Sequence, residues 1–111
     1  MKMPNSALSF VAREKITDYL LSPTHATGKD KAKFFSGFGF NIMEIDVFRN
    51  ALIEHSVVRD VESNQTSPFG MKYKLVCEIQ TPDQRNPCIV SVWIIDSGTD
   101  APKLITAYPD K

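Results

Sequence analysis

The stretch that decides the fold is CIVSVWII, which occupies residues 88–95. Nearly all of its side chains are apolar, β-branched or aromatic. Turn-forming residues bound it on both sides, Asn86 and Pro87 before it and Gly98 after it. A short apolar run with such boundaries is typical of a strand buried on both faces. We therefore predict that residues 88–95 form a central strand of a sheet.

Further strands are predicted on both sides of this run. After a connection that contains Gly98 and Pro102, residues 103–108 form a second, more amphipathic strand and close a hairpin. Before it, residues 71–80 alternate between apolar and polar side chains. The side chains expected on the core face of that strand are Met71, Tyr73, Leu75, Cys77 and Ile79. Residues 57–65 alternate loosely, which indicates an edge strand.

The part of the chain before residue 56 has helical periodicity instead. Amphipathic helices are predicted over residues 12–21 and 29–36, and a third from about residue 43 or 44 to about residue 55. Asn41 or Asp46 is expected to cap the third helix. Because helices precede strands, we predict an α+β fold in which two to three N-terminal helices pack on one face of a three- to four-stranded antiparallel meander sheet.

Composition narrows the class of protein. A chain of 111 residues fits a single domain, residues 1–111. The 13 basic and 13 acidic side chains cancel, so the overall charge lacks the basic excess of most nucleic-acid-binding domains. No apolar run approaches the roughly 20 residues that span a bilayer, and the N-terminus does not resemble a signal peptide. We expect a cytoplasmic protein without a membrane partner.

Two cysteines are too few for a fold stabilised by several disulfides. Cys77 lies in one predicted strand and Cys88 begins the next, a spacing compatible with a cross-strand pair. No Cys-x-x-Cys motif is present, and the two histidines are thirty positions apart. We therefore expect both thiols to be small core residues, and we predict neither a metal site nor a cofactor.

His25 is the first candidate for chemistry. It lies in a loop after Pro23, outside any apolar pattern and shortly before Gly28 and three lysines. A histidine titrates near neutral pH and can act as a general acid or base, whereas a lysine can offset phosphate charge. The alternative is that His25 only caps or hydrogen-bonds the loop backbone. The segment is not a P-loop, because the two-glycine spacing is absent.

Thr106 and Tyr108 are two positions apart on the last predicted strand, and therefore on one face. If this face is open, their hydroxyls are candidates for orienting a substrate; if helices cover it, they are residues at the edge of the core. His55 shares the apolar stripe of the third helix with Ile45, Phe48 and Leu52, and we expect it to be a hydrogen-bonded core histidine.

Several separated motifs together resemble a bacterial family. They are KITDYLLSPTH at residues 15–25, GKDKAKFF at 28–35, Gly39–Phe40, WII at 93–95 and PKLITAYP at 102–109. The family has no known function and occurs as small free-standing proteins and as terminal domains of toxin-like or phage-derived polypeptides. The similarity extends from about residue 13 to residue 109.

The layout of helices and strands also resembles the superfamily of small bacterial ribonuclease toxins that includes barnase, the RNA-cleaving colicins and the RelE-type toxins. This resemblance implies metal-independent attack of an RNA 2′-hydroxyl on the adjacent phosphate. It implies His25 as general acid or base, Lys31 or Lys33 as the group that offsets phosphate charge, and Thr106 with Tyr108 as the groups that orient the substrate. The chain departs from these toxins in its neutral charge, since they are usually basic.

Two functional hypotheses remain open from the sequence. The first is a toxin-like endoribonuclease, with RNA and a small cognate antitoxin-like protein as expected partners. The second is a non-catalytic binding or regulatory module of the toxin-partner type. A homo-oligomer assembled through an exposed sheet face is a third arrangement, and the sequence does not decide the oligomeric state.

Overall fold

The computed structural model describes residues 1–110 and has three helices before its sheet. Helix α1 consists of an α-helical turn, Arg13–Lys15, that continues as a π-helical segment, Ile16–Leu20. Helix α2 covers Lys29–Gly37. A 3-10 turn, Ile42–Glu44, leads into helix α3, Ile45–Val58. A further short 3-10 turn precedes α1.

Four strands follow and pair in sequence order, each antiparallel to the next. They are β1 (Val61–Ser67), β2 (Gly70–Glu78), β3 (Cys88–Asp96) and β4 (Lys103–Pro109). The predicted α+β class and the antiparallel meander are confirmed.

Strand β3 lies inside the sheet and is buried on both faces, as its sequence predicts. Ile89 and Trp93 are fully buried on one face, and Val90 and Ile94 are 2% and 6% exposed on the other. Trp93 lies opposite Tyr73 of β2 and at the position where the register of β4 shifts. The widest side chain of the core is therefore held at the centre of the sheet.

Helix α3 packs on β2 and β3, whereas α1 and α2 pack on β4. Its predicted apolar stripe is buried: Ile45 is 9% exposed, and Phe48, Leu52 and His55 are fully buried. Asn41 accepts a hydrogen bond from the Met43 amide (2.8 Å), so it caps the 3-10 turn in front of α3.

The boundary between α3 and the sheet differs from the prediction. Val57 and Val58 continue the helix, each 40% exposed, and the amide of Arg59 closes it on the carbonyl of His55. These β-branched residues favour a strand by intrinsic preference, but the packing of the preceding stripe keeps them helical. Strand β1 consequently begins at Val61 rather than at Val57.

Cys77 is exposed, and the prediction that it faces the core is wrong. Its φ is 118°, in the region that side-chain-bearing residues rarely adopt. Nε2 of the buried His55 hydrogen-bonds the Cys77 carbonyl oxygen at 2.9 Å, which holds that carbonyl toward the core. The backbone is thereby rotated at Cys77. The alternation of buried and exposed side chains, which places Tyr73 and Leu75 in the core, is interrupted there.

The N-terminal segment contacts both edge strands. The Phe10 amide donates to the Pro102 carbonyl (2.8 Å), and the Phe10 carbonyl accepts from the Leu104 amide of β4. At the opposite edge, the Met1 carbonyl accepts from the Val61 amide (2.7 Å). Within residues 1–110, none of the helices has both the length and the apolar character that a membrane crossing requires.

Candidate functional site

A cleft of about 700 Å³ lies between α1, the loop before α2 and the first half of β4. We call it the Tyr19 cleft, because the Tyr19 side chain contacts Lys15, His25 and Thr106 among the residues that line it. The side chains that line it are those of Ala12, Glu14, Lys15, Asp18, Tyr19, His25, Thr27, Ile105 and Thr106.

Tyr19 connects α1 to the loop, to α2 and to β4. Its hydroxyl is 2.9 Å from Oγ1 of Thr106, and its ring centroid is 4.9 Å from that of His25, in an edge-to-face arrangement. The ammonium groups of Lys15 and Lys31 lie 5.5 Å and 5.4 Å from the centre of the same ring, within cation–π range. Two ammonium groups, one hydroxyl and an imidazole therefore surround the Tyr19 side chain.

The local backbone explains how Tyr19 reaches the cleft. Its helix is π-helical over Ile16–Leu20, and the Leu21 amide bonds the Ile16 carbonyl at 2.8 Å. The wider turn changes the angular spacing of its side chains, so that Ile16 and Leu20 are fully buried while Tyr19 is half-buried. Single-turn π-helical segments of this kind are frequent at functional sites.

Gly28 permits the loop to lie against Tyr19. A Cβ atom at this position would lie 2.4 Å from the Tyr19 carbonyl oxygen and 2.8 Å from Cδ1 of its ring. The φ of Gly28 is −95°, so the glycine is required by the close approach and not by its backbone angles.

His25 hydrogen-bonds the backbone of the loop that precedes α2. Its Nδ1 accepts hydrogen bonds from the amides of Thr27 (3.1 Å) and Gly28 (3.0 Å), and it lies 3.3 Å from the Thr27 hydroxyl. Since amides only donate, this network leaves Nδ1 unprotonated and puts the ring proton on Nε2. The imidazole in this arrangement is a hydrogen-bond donor through Nε2–H.

The two lysines predicted as alternatives lie on different sides of α2. Lys31 is half-buried beside Tyr19, and its ammonium donates to the Thr27 carbonyl at 3.3 Å. Lys33 lies with Lys29 along a second groove, of about 880 Å³, whose apolar wall includes Phe40. Lys31 is not among the residues that line the cleft, but it contacts the Tyr19 ring that His25 also contacts, whereas Lys33 lies on the other groove.

Thr106 and Tyr108 both lie on β4, opposite Val92 and Val90 of β3. Thr106 lines the Tyr19 cleft, whereas Tyr108, although half-buried on the same strand, is not among the residues that line it. The role predicted for Tyr108 stays a prediction. Of the five predicted site residues, His25, Lys31 and Thr106 are brought together.

Sequence reasoning missed Tyr19 and the charged residues beside it. The sequence predicts a helix over residues 12–21 but does not mark Tyr19, Glu14, Lys15 or Asp18 as site residues. One signal was available, because Lys15 and Tyr19 are four positions apart and such residues are neighbours on a helix. The π-helical turn, which exposes that pair to the cleft, has no comparable signal.

The other histidine belongs to a buried network. Because Nε2–H of His55 donates to the Cys77 carbonyl, Nδ1 accepts from the Ser91 hydroxyl at 2.9 Å. The Ser91 oxygen in turn accepts from the Trp93 indole N–H at 2.8 Å. Burial, with a smaller contribution from Arg59 and against the effect of the Cys77 carbonyl, lowers the pKa of His55 from 6.5 to about 4. His55 is therefore a neutral, hydrogen-bonded core residue, as the sequence predicts.

Within residues 1–110, no group of three or more His, Cys, Asp or Glu side chains is placed to hold a metal ion. Neither the comparison with curated proteins nor that with solved structures gives a match. The comparison with protein families does: one model, described as a domain of unknown function (DUF6883), matches residues 2–111. By this match over almost its whole length, the chain belongs to the DUF6883 family.

Proposed function

We propose that the protein is a metal-independent endoribonuclease of the toxin-like class and that the Tyr19 cleft is its active site. The observation that carries this proposal is the convergence of His25, Lys31 and Thr106 on Tyr19, although they come from a loop, a helix and the last strand. Such a set of donors around an aromatic ring suits a phosphate group and the base beside it.

The proposed reaction is attack of the RNA 2′-oxygen on the adjacent phosphorus. The bond from phosphorus to the 5′-oxygen breaks, leaving a 2′,3′-cyclic phosphate and a 5′-hydroxyl that takes its proton from solvent. The ammonium groups of Lys15 and Lys31 offset the charge that develops on the phosphate oxygens. Thr106, held by the Tyr19 hydroxyl at 2.9 Å, orients the phosphate.

The hydrogen bonds of His25 favour a different role from the one implied by the resemblance. With Nδ1 engaged by the Thr27 and Gly28 amides, the ring acts as a neutral donor from Nε2–H to a phosphate oxygen. The 2′-hydroxyl proton then needs another acceptor. Glu14 and Asp18 are the carboxylates that line the same cleft, and either can accept it.

Cleavage of a labelled RNA oligonucleotide in EDTA tests the proposal. We expect the wild type to give products with 2′,3′-cyclic phosphate ends and to leave the all-2′-deoxy oligonucleotide intact. We expect Thr106→Val and Lys31→Ala to cleave about 10²-fold more slowly, since each removes a group that stabilises the transition state. Lys29→Ala is the matched control: it removes the same charge from the same helix, on the side of the second groove, and should leave the rate unchanged.

Two substitutions at His25 separate its proposed role in catalysis from its hydrogen bonds to the loop backbone. His25→Asn retains a side-chain acceptor for the Thr27 and Gly28 amides but lacks the imidazole donor, whereas His25→Ala lacks both. We expect His25→Asn to be more thermally stable than His25→Ala but to cleave RNA no faster. Intact RNA in the presence of the wild type would count against the enzyme, and equal cleavage by wild type and His25→Asn would count against the role proposed for His25.

The hydrogen bonds of His25 to the loop favour the second candidate function, a non-catalytic module that binds RNA or a protein partner. A histidine whose Nδ1 is occupied by backbone amides has an evident structural role. Fluorescence anisotropy with the all-2′-deoxy oligonucleotide and with the RNA distinguishes the two functions. Binding of RNA that survives intact, and that Lys31→Ala weakens, is the result expected of the module.

A further inference from the structure

We propose that Cys77 and Cys88 are a disulfide-forming pair that joins the end of β2 to the start of β3. Neither cysteine lines the Tyr19 cleft, so the inference does not depend on the proposed ribonuclease. Three properties of the pair carry it: the distance set by the strand register, the direction of the two side chains, and the accessibility of one thiol.

The register of the sheet puts the two cysteines within disulfide range. Cys77 pairs with Ile89, and Glu78 pairs with Cys88, so the cysteines are diagonal neighbours across β2 and β3. Opposite residues of antiparallel strands are about 5 Å apart, and the rise along a strand is about 3.3 Å, which gives a Cα–Cα separation of about 6 Å. Disulfides usually join Cα atoms about 4.4 to 6.8 Å apart.

In a regular sheet these two side chains would point to opposite faces, because Ile89 and Cys88 alternate along β3. The backbone of Cys77 removes that obstacle. With φ at 118° and its carbonyl bonded to His55 on the core side, its side chain is exposed instead of buried beside the fully buried Ile89. Cys88 faces away from Ile89, so both thiols lie on the side away from the core.

The surroundings of Cys88 are consistent with two adjacent thiols. Its Sγ lies 3.5 Å from Oδ2 of Asp110. Partial burial, the neighbouring Cys77 thiol and the Asp110 carboxylate raise the pKa of Cys88 to about 12. Cys88 is therefore a poor initial nucleophile, and the exposed Cys77 is the thiol that reacts first.

The oxidant class is a low-molecular-weight disulfide such as oxidised glutathione. Sulfur of Cys77 attacks one sulfur of that disulfide, forms a mixed disulfide and releases one small thiol. Sulfur of Cys88 then attacks Cys77, its S–S bond to glutathione breaks, and the second small thiol leaves. The two protein thiols are oxidised, one small disulfide is reduced to two thiols, and the two protons pass to the released thiols.

The test is to incubate the folded protein with excess oxidised glutathione and to measure intact mass and free thiols over time. We expect the wild type to lose two hydrogen atoms and both free thiols, to retain no glutathione and to form no disulfide between chains. Added dithiothreitol should restore both thiols. Cys88→Ser should instead accumulate one glutathione on Cys77, because the resolving thiol is missing.

A parallel reaction in urea tests whether the fold brings the pair together. We expect the folded wild type to resolve its mixed disulfide at least about tenfold faster than the unfolded chain, since the sheet holds the thiols in place. A wild type that keeps a bound glutathione, that joins two chains instead, or that forms the internal disulfide only when unfolded would overturn the proposal.

Discussion

Acidification from pH 6.5 to pH 4 is expected to lower the free energy of unfolding by about 3 kcal/mol through His55 alone. The folded protein keeps this imidazole neutral down to a pKa of about 4, whereas the unfolded chain protonates it at 6.5. Above pH 6.5 neither state binds the proton and stability is complete. Between pH 6.5 and pH 4 only the unfolded state binds the proton, and each pH unit lowers the free energy of unfolding by about 1.4 kcal/mol.

Urea unfolding of the wild type and of His55→Gln at pH 6.5 and pH 4 measures this effect. We expect the variant to be less stable at pH 6.5, because the bonds to Ser91 and to the Cys77 carbonyl are disturbed. Its further loss on acidification should be smaller than that of the wild type by about 3 kcal/mol. His25→Gln is the control: it retains His55, so its free energy of unfolding should fall on acidification by as much as that of the wild type. An equal acid-induced loss in wild type and His55→Gln would refute the assignment.

Gly28→Ala is expected to destabilise the protein by about 1–3 kcal/mol and to impair the Tyr19 cleft. The added Cβ would lie 2.4 Å from the Tyr19 carbonyl oxygen, which is backbone and cannot move without α1. The backbone angles of Gly28 are ordinary for alanine, so the effect is purely steric. If the ribonuclease proposal holds, the same variant should also cleave RNA more slowly, because the loop that carries His25 is displaced.

Gly37→Ala is the matched control for this variant. Gly37 is the last residue of α2, and an added Cβ meets no atom within 4 Å. Alanine has the higher helix propensity, so we expect this variant to be unchanged or more stable by up to about 1 kcal/mol. Thermal unfolding of the two variants gives the comparison. Equal melting temperatures would show that the Tyr19 contact does not constrain residue 28.

The fold was largely predictable because its signals are local. The apolar run at residues 88–95 is long enough for a strand, too short for a membrane span and bounded by turn residues, and it forms the centre of the sheet. The stripe from Ile45 to His55 has a helical period and is buried as predicted. The end of that helix was misplaced, because Val57 and Val58 have strand preferences that their helical context overrides.

The candidate site was only partly predictable because its geometry depends on contacts that alternation cannot show. The sequence leaves Lys31 and Lys33 as equal alternatives, and the side of α2 that faces Tyr19 selects Lys31. The role of His25 depends on which ring nitrogen meets the loop amides. Cys77 follows the core pattern of its strand, yet a bond from His55, 22 positions earlier, holds its backbone in a rotated conformation.

The hydrogen bond between Tyr19 and Thr106 also has a consequence for the order of folding. It joins residues 87 positions apart, whereas each strand of the meander pairs with its neighbour in the chain. Contacts between distant residues incur the larger loop-closure entropy, so the hairpins are favoured to form before this bond. The cleft is therefore complete only when both ends of the chain have docked, and a nascent or truncated chain that lacks β4 has no assembled Tyr19 cleft.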